Sequence, residues 1–186
     1  MEVLALEKGE GETLLSGSLL VDKTHPRVEF RGRLDELDAI IVMIQAAEAD
    51  NPALVEKLDE LRDSVYEAMS CDVTERPCSP MVLWNLTSDE LRERSHNPKK
   101  YFGLGHIMFH REMGRAAAAL NLLRTKVREA ELSACRAYAD GAPFGASIVE
   151  RMNRLSSAVY VLMYSCLPEG YSRTITFGPP KKEGDK

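Results

Sequence analysis

Asn121, Arg124, Arg128 and Glu131 fall in one run, Asn121-Leu-Leu-Arg-Thr-Lys-Val-Arg-Glu-Ala-Glu131. At about 100° per residue their side chains lie within roughly 80° of one another on a helix, so an amide, two cations and a carboxylate stack along one line. Taken alone, such a line reads as a solvated face of helical charge pairs, each worth about 0.3–0.5 kcal/mol, and context elsewhere in the chain must decide otherwise. A second candidate is Lys8-Gly-Glu-Gly-Glu-Thr-Leu-Leu-Ser-Gly17. Gly9, Gly11 and Gly17 would let backbone N–H groups close on phosphates, with Thr13, Ser16, Ser18 and Lys23 as side-chain donors. Glu10 and Glu12 would repel a phosphate unless a divalent cation intervened. His106 and His110 could share a helical face as an i, i+4 pair, but no acidic ligand accompanies them. Cys71, Cys78, Cys135 and Cys166 lack any Cys-x2-Cys spacing and read as free, reduced thiols, so no metal site is expected.

The elements that must carry these residues read as amphipathic helices. Leu120, Leu123, Val127, Ala130, Ala134 and Ala137 recur at spacings of three and four, which predicts a helix over 114–139 with one core face. Leu34, Leu37, Ile41 and Ile44 predict another from about Leu34 to Glu48, with Asp35 and Asp38 off its apolar stripe. Those two acids also suit a first helical turn. Pro52, followed by Leu54, Leu58, Leu61, Val65 and Met69, predicts a helix over 52–69. Between Ser70 and Tyr101 the pattern breaks into an irregular connection, the kind of long segment that carries function more often than filler. Within it the capping box Thr87-x-x-Glu90 opens a short helix over 88–95. Ser147-x-x-Glu150 reads as a second capping box, opening a last helix to Cys166 whose core stripe is Ile148, Met152, Leu155, Val159 and Leu162. Asn153, Ser157 and Tyr160 line its polar stripe.

The expected fold is all-α: one domain, an antiparallel bundle of four or five helices over 32–166. An extended or loop segment, 1–31, precedes the bundle, and a mobile or lightly docked tail, 167–186, follows it. At 186 residues the chain can bury a core without disulfides or metals. A net charge of −5 gives no basic excess for a nucleic-acid backbone. No basic leader opens the sequence and no run of about 18 apolar residues occurs, so neither export nor membrane spanning is expected and a cytoplasmic location is.

Three motifs in order carry a family resemblance. Lys23-Thr-His-Pro-Arg-Val-Glu-Phe-Arg-Gly-Arg-Leu-Asp-Glu-Leu37 resembles the Lys-Asp-Asp-x-Arg-Val-Glu-x-x-Gly-x-x-Asp-Glu-Leu signature of the propanediol-utilisation class of ATP:cob(I)alamin adenosyltransferases. Arg151-Met-Asn-Arg-Leu-Ser156 resembles the Asn-Arg-Leu-Ser segment of that class. Closer still, Leu86-Thr-Ser-Asp-Glu-Leu, Leu120-Asn-Leu-Leu-Arg-Thr-Lys-Val-Arg-Glu129 and Met152-Asn-Arg-Leu-Ser-Ser-Ala-Val-Tyr-Val161 are similar to the ethanolamine-utilisation class of the same activity.

The resemblance implies a homotrimer of bundles that binds ATP and a corrinoid at each subunit interface and moves the 5′-deoxyadenosyl group of ATP to Co(I), releasing triphosphate. It places Arg128, Lys23 and a magnesium ion (Mg2+) at the triphosphate. It pairs Arg124 with Asp35 of another subunit. It adds Asn121, Glu131, Asn153 and the signature's Arg27 to the nucleotide side, with Gly9, Gly11, Thr13 and Gly17 standing for the family's glycine-rich opening. That opening is eroded here, with Leu19 where the family carries a basic residue. The family's aromatic wedge under the corrin ring, which drives off cobalt's lower ligand, falls at Phe109 or Met108. No metal-binding segment of the ethanolamine class precedes Thr13, which implies a shortened, metal-independent relative. A flavin or other reductase and a corrinoid-dependent ammonia-lyase are the implied partners, and housing in a bacterial microcompartment is compatible with that role. The alternative is a corrinoid or nucleotide carrier that keeps the bundle without turnover.

Overall fold

Pro26 opens the first long helix, α1 (Pro26–Ala47), and the His25 ring accepts the Arg27 N–H at 3.2 Å as its cap. The helix therefore starts about two turns before the expected Leu34. The reason is Phe30, fully buried one turn ahead of Leu34 and extending the same apolar stripe toward the N-terminus. The 1–31 segment is thus only partly extended. The computed structural model describes residues 9–17 and 19–175. Residues 1–8, Ser18 and the 176–186 part of the expected tail lie outside the described residues.

A short hairpin precedes α1: β1 (Glu12–Leu14) pairs antiparallel with β2 (Leu20–Asp22), Glu12 opposite Asp22. α2 (Pro52–Thr74) is capped by the Asn51 side chain, which accepts the Leu54 N–H at 3.2 Å. It outruns the expected Met69 because Cys71 and Asp72, both fully buried, continue its inner face. In the irregular connection, β3 (Val82–Leu83) and β4 (Leu86–Thr87) form a hairpin not foreseen from the sequence. Its turn residues, Trp84 and Asn85, sit at φ 55° and 60°, the paired left-handed geometry that follows the strand twist. α3 (Ser88–His96) carries the expected Thr87–Glu90 capping box, with both of its bonds formed. A five-residue helix, α4 (Pro98–Phe102), and a 3-10 turn (Arg111–Met113) lead to α5 (Arg115–Ala137).

The last helix, α6 (Pro143–Ser165), begins at Pro143, a turn before Ser147. Ser147 caps nothing. Its hydroxyl donates to the Phe144 carbonyl at 2.8 Å and accepts the Cys78 N–H at 2.9 Å, tying α6 to the connection after α2. Gly145 is required here because a Cβ would run into the Tyr138 ring.

The architecture is mostly helical. α1 packs on α2 and α5, and α6 packs on α5, α2 and α3. Side-chain pairs fix the directions: Arg27–Asp72, Asp38–Arg62 and Gln45–Asp59 run in opposite order along α1 and α2. Glu29–Arg136, Glu36–Lys126 and Glu48–Arg115 do the same along α1 and α5. Every position of the stripes Leu34/Leu37/Ile41/Ile44, Leu54/Leu58/Leu61/Val65 and Leu120/Leu123/Val127/Ala130 is buried. Each large aliphatic side chain so buried contributes about 1.5–3 kcal/mol.

One polar node lies within this core. The Asp72 carboxylate, with no exposed surface, takes bonds from Arg27 Nε at 2.8 Å, Arg31 Nε at 2.5 Å and the Tyr138 hydroxyl at 2.8 Å. α1, α2 and the end of α5 are thereby pinned together, and a buried charge is compensated. Farther along α1, Gly32 is exposed, and nothing lies within 4 Å of the place where a Cβ would stand. Beyond α6 the chain returns to the segment ahead of α5: Met108 N–H donates to Arg173 O at 3.0 Å, and Ile175 N–H to His106 O at 2.8 Å. Arg173 also pairs with Glu112 at 2.8 Å. The described part of the tail is therefore docked.

Candidate functional site

α5 and α6 lie side by side, and their polar stripes face a cavity of about 440 Å³ closed by α3 and the segment ahead of α5. From α5 come Arg124 and Arg128, from α6 Asn153, Ser157 and Tyr160, from α3 Arg92 and His96, and from the segment before α5 His106 and Phe109. The apolar periodicity explains the arrangement. Once Leu120, Leu123 and Val127 face the core, the residues one position on must flank the seam.

The cavity is rich in uncompensated positive charge. The Arg124 guanidinium carbon stands 4.9 Å from the centre of the Tyr160 ring, and its buried Nε has no hydrogen-bond partner among the described residues. Burial, and then the neighbouring Arg128 charge, push its pKa below the ordinary arginine value. It remains a cation at neutral pH. Arg128 is exposed and makes no hydrogen bond or ion pair among the described residues. Two arginines that repel each other at one cavity favour an anion with several charges.

Asn153 is already oriented. Its Nδ2 donates to Glu131 Oε1 at 2.8 Å and its Oδ1 accepts from Arg154 at 2.7 Å. Glu131 holds Asn153 and does not line the cavity, and Asn121, one turn before Arg124, has a buried Oδ1 without a partner among the described residues. Phe109 lines the cavity with 43% of its surface exposed, whereas Met108, also exposed, is not among its lining residues. The 106–110 segment is not helical, so the supposed i, i+4 histidine pair does not form. His106 meets Tyr160, and His110 caps the 3-10 turn through the Glu112 N–H.

The other candidates lie elsewhere on the chain. Lys23 N–H closes onto the Gly11 carbonyl at 2.8 Å, Gly9 N–H donates to Glu12 Oε2 at 2.9 Å, and Thr13 pairs with Val21 in the hairpin. Gly17 forms its turn at φ 54°. Ser16 reaches Glu75, and Arg27 is committed to Asp72 and Glu75. Asp35 is exposed, with no hydrogen bond or ion pair among the described residues. Within one chain, the cavity thus unites Arg124, Arg128, Asn153 and Phe109 but not the hairpin set, Arg27 or Asp35.

Arg92 and His96 were not singled out from the sequence. Their i, i+4 spacing was readable, but only the packing of α3 on α6 brings them to the cavity. A more open groove of about 900 Å³, bearing Lys99, Lys100 and Gly105, adjoins it and shares His96 and His106. Among the described residues no three His, Cys, Asp or Glu side chains group together as metal ligands. Cys71 is fully buried, and its thiol is pushed up to about 12, first by burial and then by its hydrogen bond with Cys78. No described helix is long and apolar enough to cross a membrane.

The cobalamin adenosyltransferase family profile matches residues 5–166. Over 162 residues the chain is 35% identical to the corrinoid adenosyltransferase EutT of Salmonella typhimurium, covering 85% of this chain and 59% of that protein. It is 35% identical over 161 residues to EutT of Escherichia coli K12, covering 84% of this chain and 59% of that one. The chain therefore spans about three-fifths of the length of these curated relatives.

Proposed function

The chain belongs to the cobalamin adenosyltransferase family, and we propose that it moves the 5′-deoxyadenosyl group of ATP to the Co(I) of a reduced corrinoid. The observation that carries this reading is the pair of uncompensated cations, Arg124 and Arg128, at one cavity with Asn153 and Phe109. The Co(I) lone pair attacks the ribose C5′ in line, the Co–C bond forms, and the C5′–O bond breaks with its electrons leaving on the triphosphate. Cobalt, having given both electrons of the new bond, ends as alkyl-Co(III). The protein's task is to hold two large ligands in line and to stabilise the leaving group's charge. Arg128, unpaired and exposed, is suited to the phosphates, and Asn153, locked by Glu131, to the nucleoside. Mg2+ carried on the triphosphate would neutralise further charge. Among the described residues no three His, Cys, Asp or Glu side chains group together, so substrate phosphates and water would hold such an ion.

The site is read as shared between copies in a homotrimer of antiparallel bundles, with α3 as a fifth helix. Two features support this: Asp35 is exposed and unpaired among the described residues, and the hairpin donors Lys23, Gly9, Gly11, Thr13 and Gly17, together with Arg27, do not line their own chain's cavity. A neighbour would then supply them. We assign the protein to ethanolamine breakdown, with a flavin or other reductase upstream, a corrinoid-dependent ammonia-lyase downstream, and a cytoplasmic or microcompartment setting. The test is anaerobic: with reduced corrinoid and ATP, the Co(I) absorbance should decay and triphosphate should appear. A carrier is the second reading, favoured by the Gly9 N–H being taken by Glu12. Binding with neither change would decide for it.

A further inference from the structure

Tyr160 stands where the cavity's arginine and its loop meet. Its hydroxyl accepts the Ile107 N–H at 3.1 Å and lies 3.2 Å from both His106 Nδ1 and the Tyr164 hydroxyl. The face of its ring carries the Arg124 guanidinium, 4.9 Å from the centroid. One turn on, Tyr164 donates to the Gly105 carbonyl at 2.8 Å and stacks on Phe102. Two hydroxyls from α6 thus clamp residues 105–107 from within, while the pairing of 106–108 with 173–175 holds them from outside. Phe109 is the second residue beyond the clamp. Tyr160 itself is 7% exposed and forms part of the cavity wall beside Arg124.

We propose that Tyr160 is a positioning residue that sets the 105–109 loop, and with it Phe109, at a fixed height against the plane of Arg124. The proposal rests on the adenosyltransferase reading, in which Phe109 approaches the lower face of the corrin and Arg124 shapes the nucleotide side. A single rigid side chain touching both keeps two ligands in register, and a small misplacement of the reacting centres is costly. Because the two contacts use different parts of the residue, they can be separated. Tyr160→Phe keeps the ring under Arg124 and removes only the hydroxyl, whereas Tyr160→Leu removes both.

The experiment compares wild type with the two variants from two starting states, Co(II) corrinoid with reduced flavin as the one-electron donor, and preformed Co(I) corrinoid. For Tyr160→Phe, turnover from Co(II) should fall about tenfold, the scale of one lost hydrogen bond, and turnover from Co(I) should stay within about threefold. Tyr160→Leu should lose both. Electron paramagnetic resonance of bound Co(II) corrinoid with a non-reacting ATP analogue should show no axial-nitrogen splitting in wild type and regain it in Tyr160→Phe. Amide exchange at Ile107, which needs no corrinoid, should accelerate in both variants. Equal losses from the two starting states, or unchanged exchange at Ile107, would overturn the proposal. A wild type that never adenosylates Co(I) corrinoid would instead overturn the function on which it rests.

Discussion

Asn153 and Glu131 are locked to each other across α6 and α5, amide to carboxylate at 2.8 Å. The bond spends one N–H of Asn153 and fixes which way the amide faces the cavity. Asn153→Asp would set two carboxylates against each other beside an anionic substrate, so KM for ATP should rise by about tenfold or more, the equivalent of one pKa unit of mismatch. Adding Glu131→Gln should restore part of the loss. Steady-state kinetics over a range of ATP concentrations check both, and no recovery in the double variant would mean that the pair does not act on the nucleotide.

Arg128 makes no hydrogen bond or ion pair among the described residues, so its removal separates chemistry from folding. Arg128→Ala should lower turnover by ~10²-fold, the scale of losing one aimed donor to a developing charge. Stability should change by no more than about 0.5 kcal/mol, as for other surface sites. Turnover that survives at saturating ATP would remove Arg128 from the mechanism.

Asp35 and Arg124 do not meet within one chain, and the shared-site reading joins them across a subunit boundary. Asp35→Asn or Arg124→Ala should weaken ATP binding or assembly, by up to ~3–5 kcal/mol if the pair is fully buried between chains and by much less if water reaches it. Asp35→Arg combined with Arg124→Asp should recover part of what either reversal loses, and mixing the two single reversals should regain some activity. A cycle without coupling and a mixture without gain would place the two residues apart.

Tyr138 gives the fold a pH limit. Burial first, then the Asp72 charge and the hydrogen bond to it, hold the phenol above its ordinary value, so the folded pKa exceeds the unfolded value of about 10. The folded state keeps the proton longer. The contribution is therefore complete below about pH 10 and is lost as pH climbs toward the folded value. Urea unfolding should show stability falling above about pH 10 in wild type, and Tyr138→Phe should flatten that fall. At neutral pH the same variant should cost about 1–3 kcal/mol for the acceptor left short, discounted because both arginines stay on Asp72. An identical alkaline slope in the variant would show that another group sets it.

Sequence periodicity went far with the long helices, because burial of Leu34 to Ile44, Leu54 to Val65 and Leu120 to Ala134 obeys a local repeat. It also put Arg124, Arg128 and Asn153 on the stripes beside that repeat, and all three line the cavity. It stopped at points settled by distant contacts. The first turns of α1 read as loop because Arg27 and Arg31 look like surface charges until Asp72 arrives from α2. Ser147 resembled a cap until Cys78 claimed its hydroxyl. The β3–β4 turn lacks the glycine that usually announces it, since Trp84 and Asn85 take the left-handed geometry themselves. Arg92 and His96 reach the cavity only through α3 docking on α6.

Gly32 offers a ruler for what surrounds α1. It is a helix-interior glycine on an exposed face with open space where a Cβ would stand, so in an isolated chain Gly32→Ala should stabilise by about 0.5–1 kcal/mol through restored helix propensity. A neighbouring chain packed against that face would reverse the sign, because the added methyl would then push two backbones apart. Melting temperatures of the dilute and concentrated protein, compared for glycine and alanine, turn one missing carbon into a proximity gauge: a gain that vanishes as protomers associate marks the stretch of α1 that another copy touches.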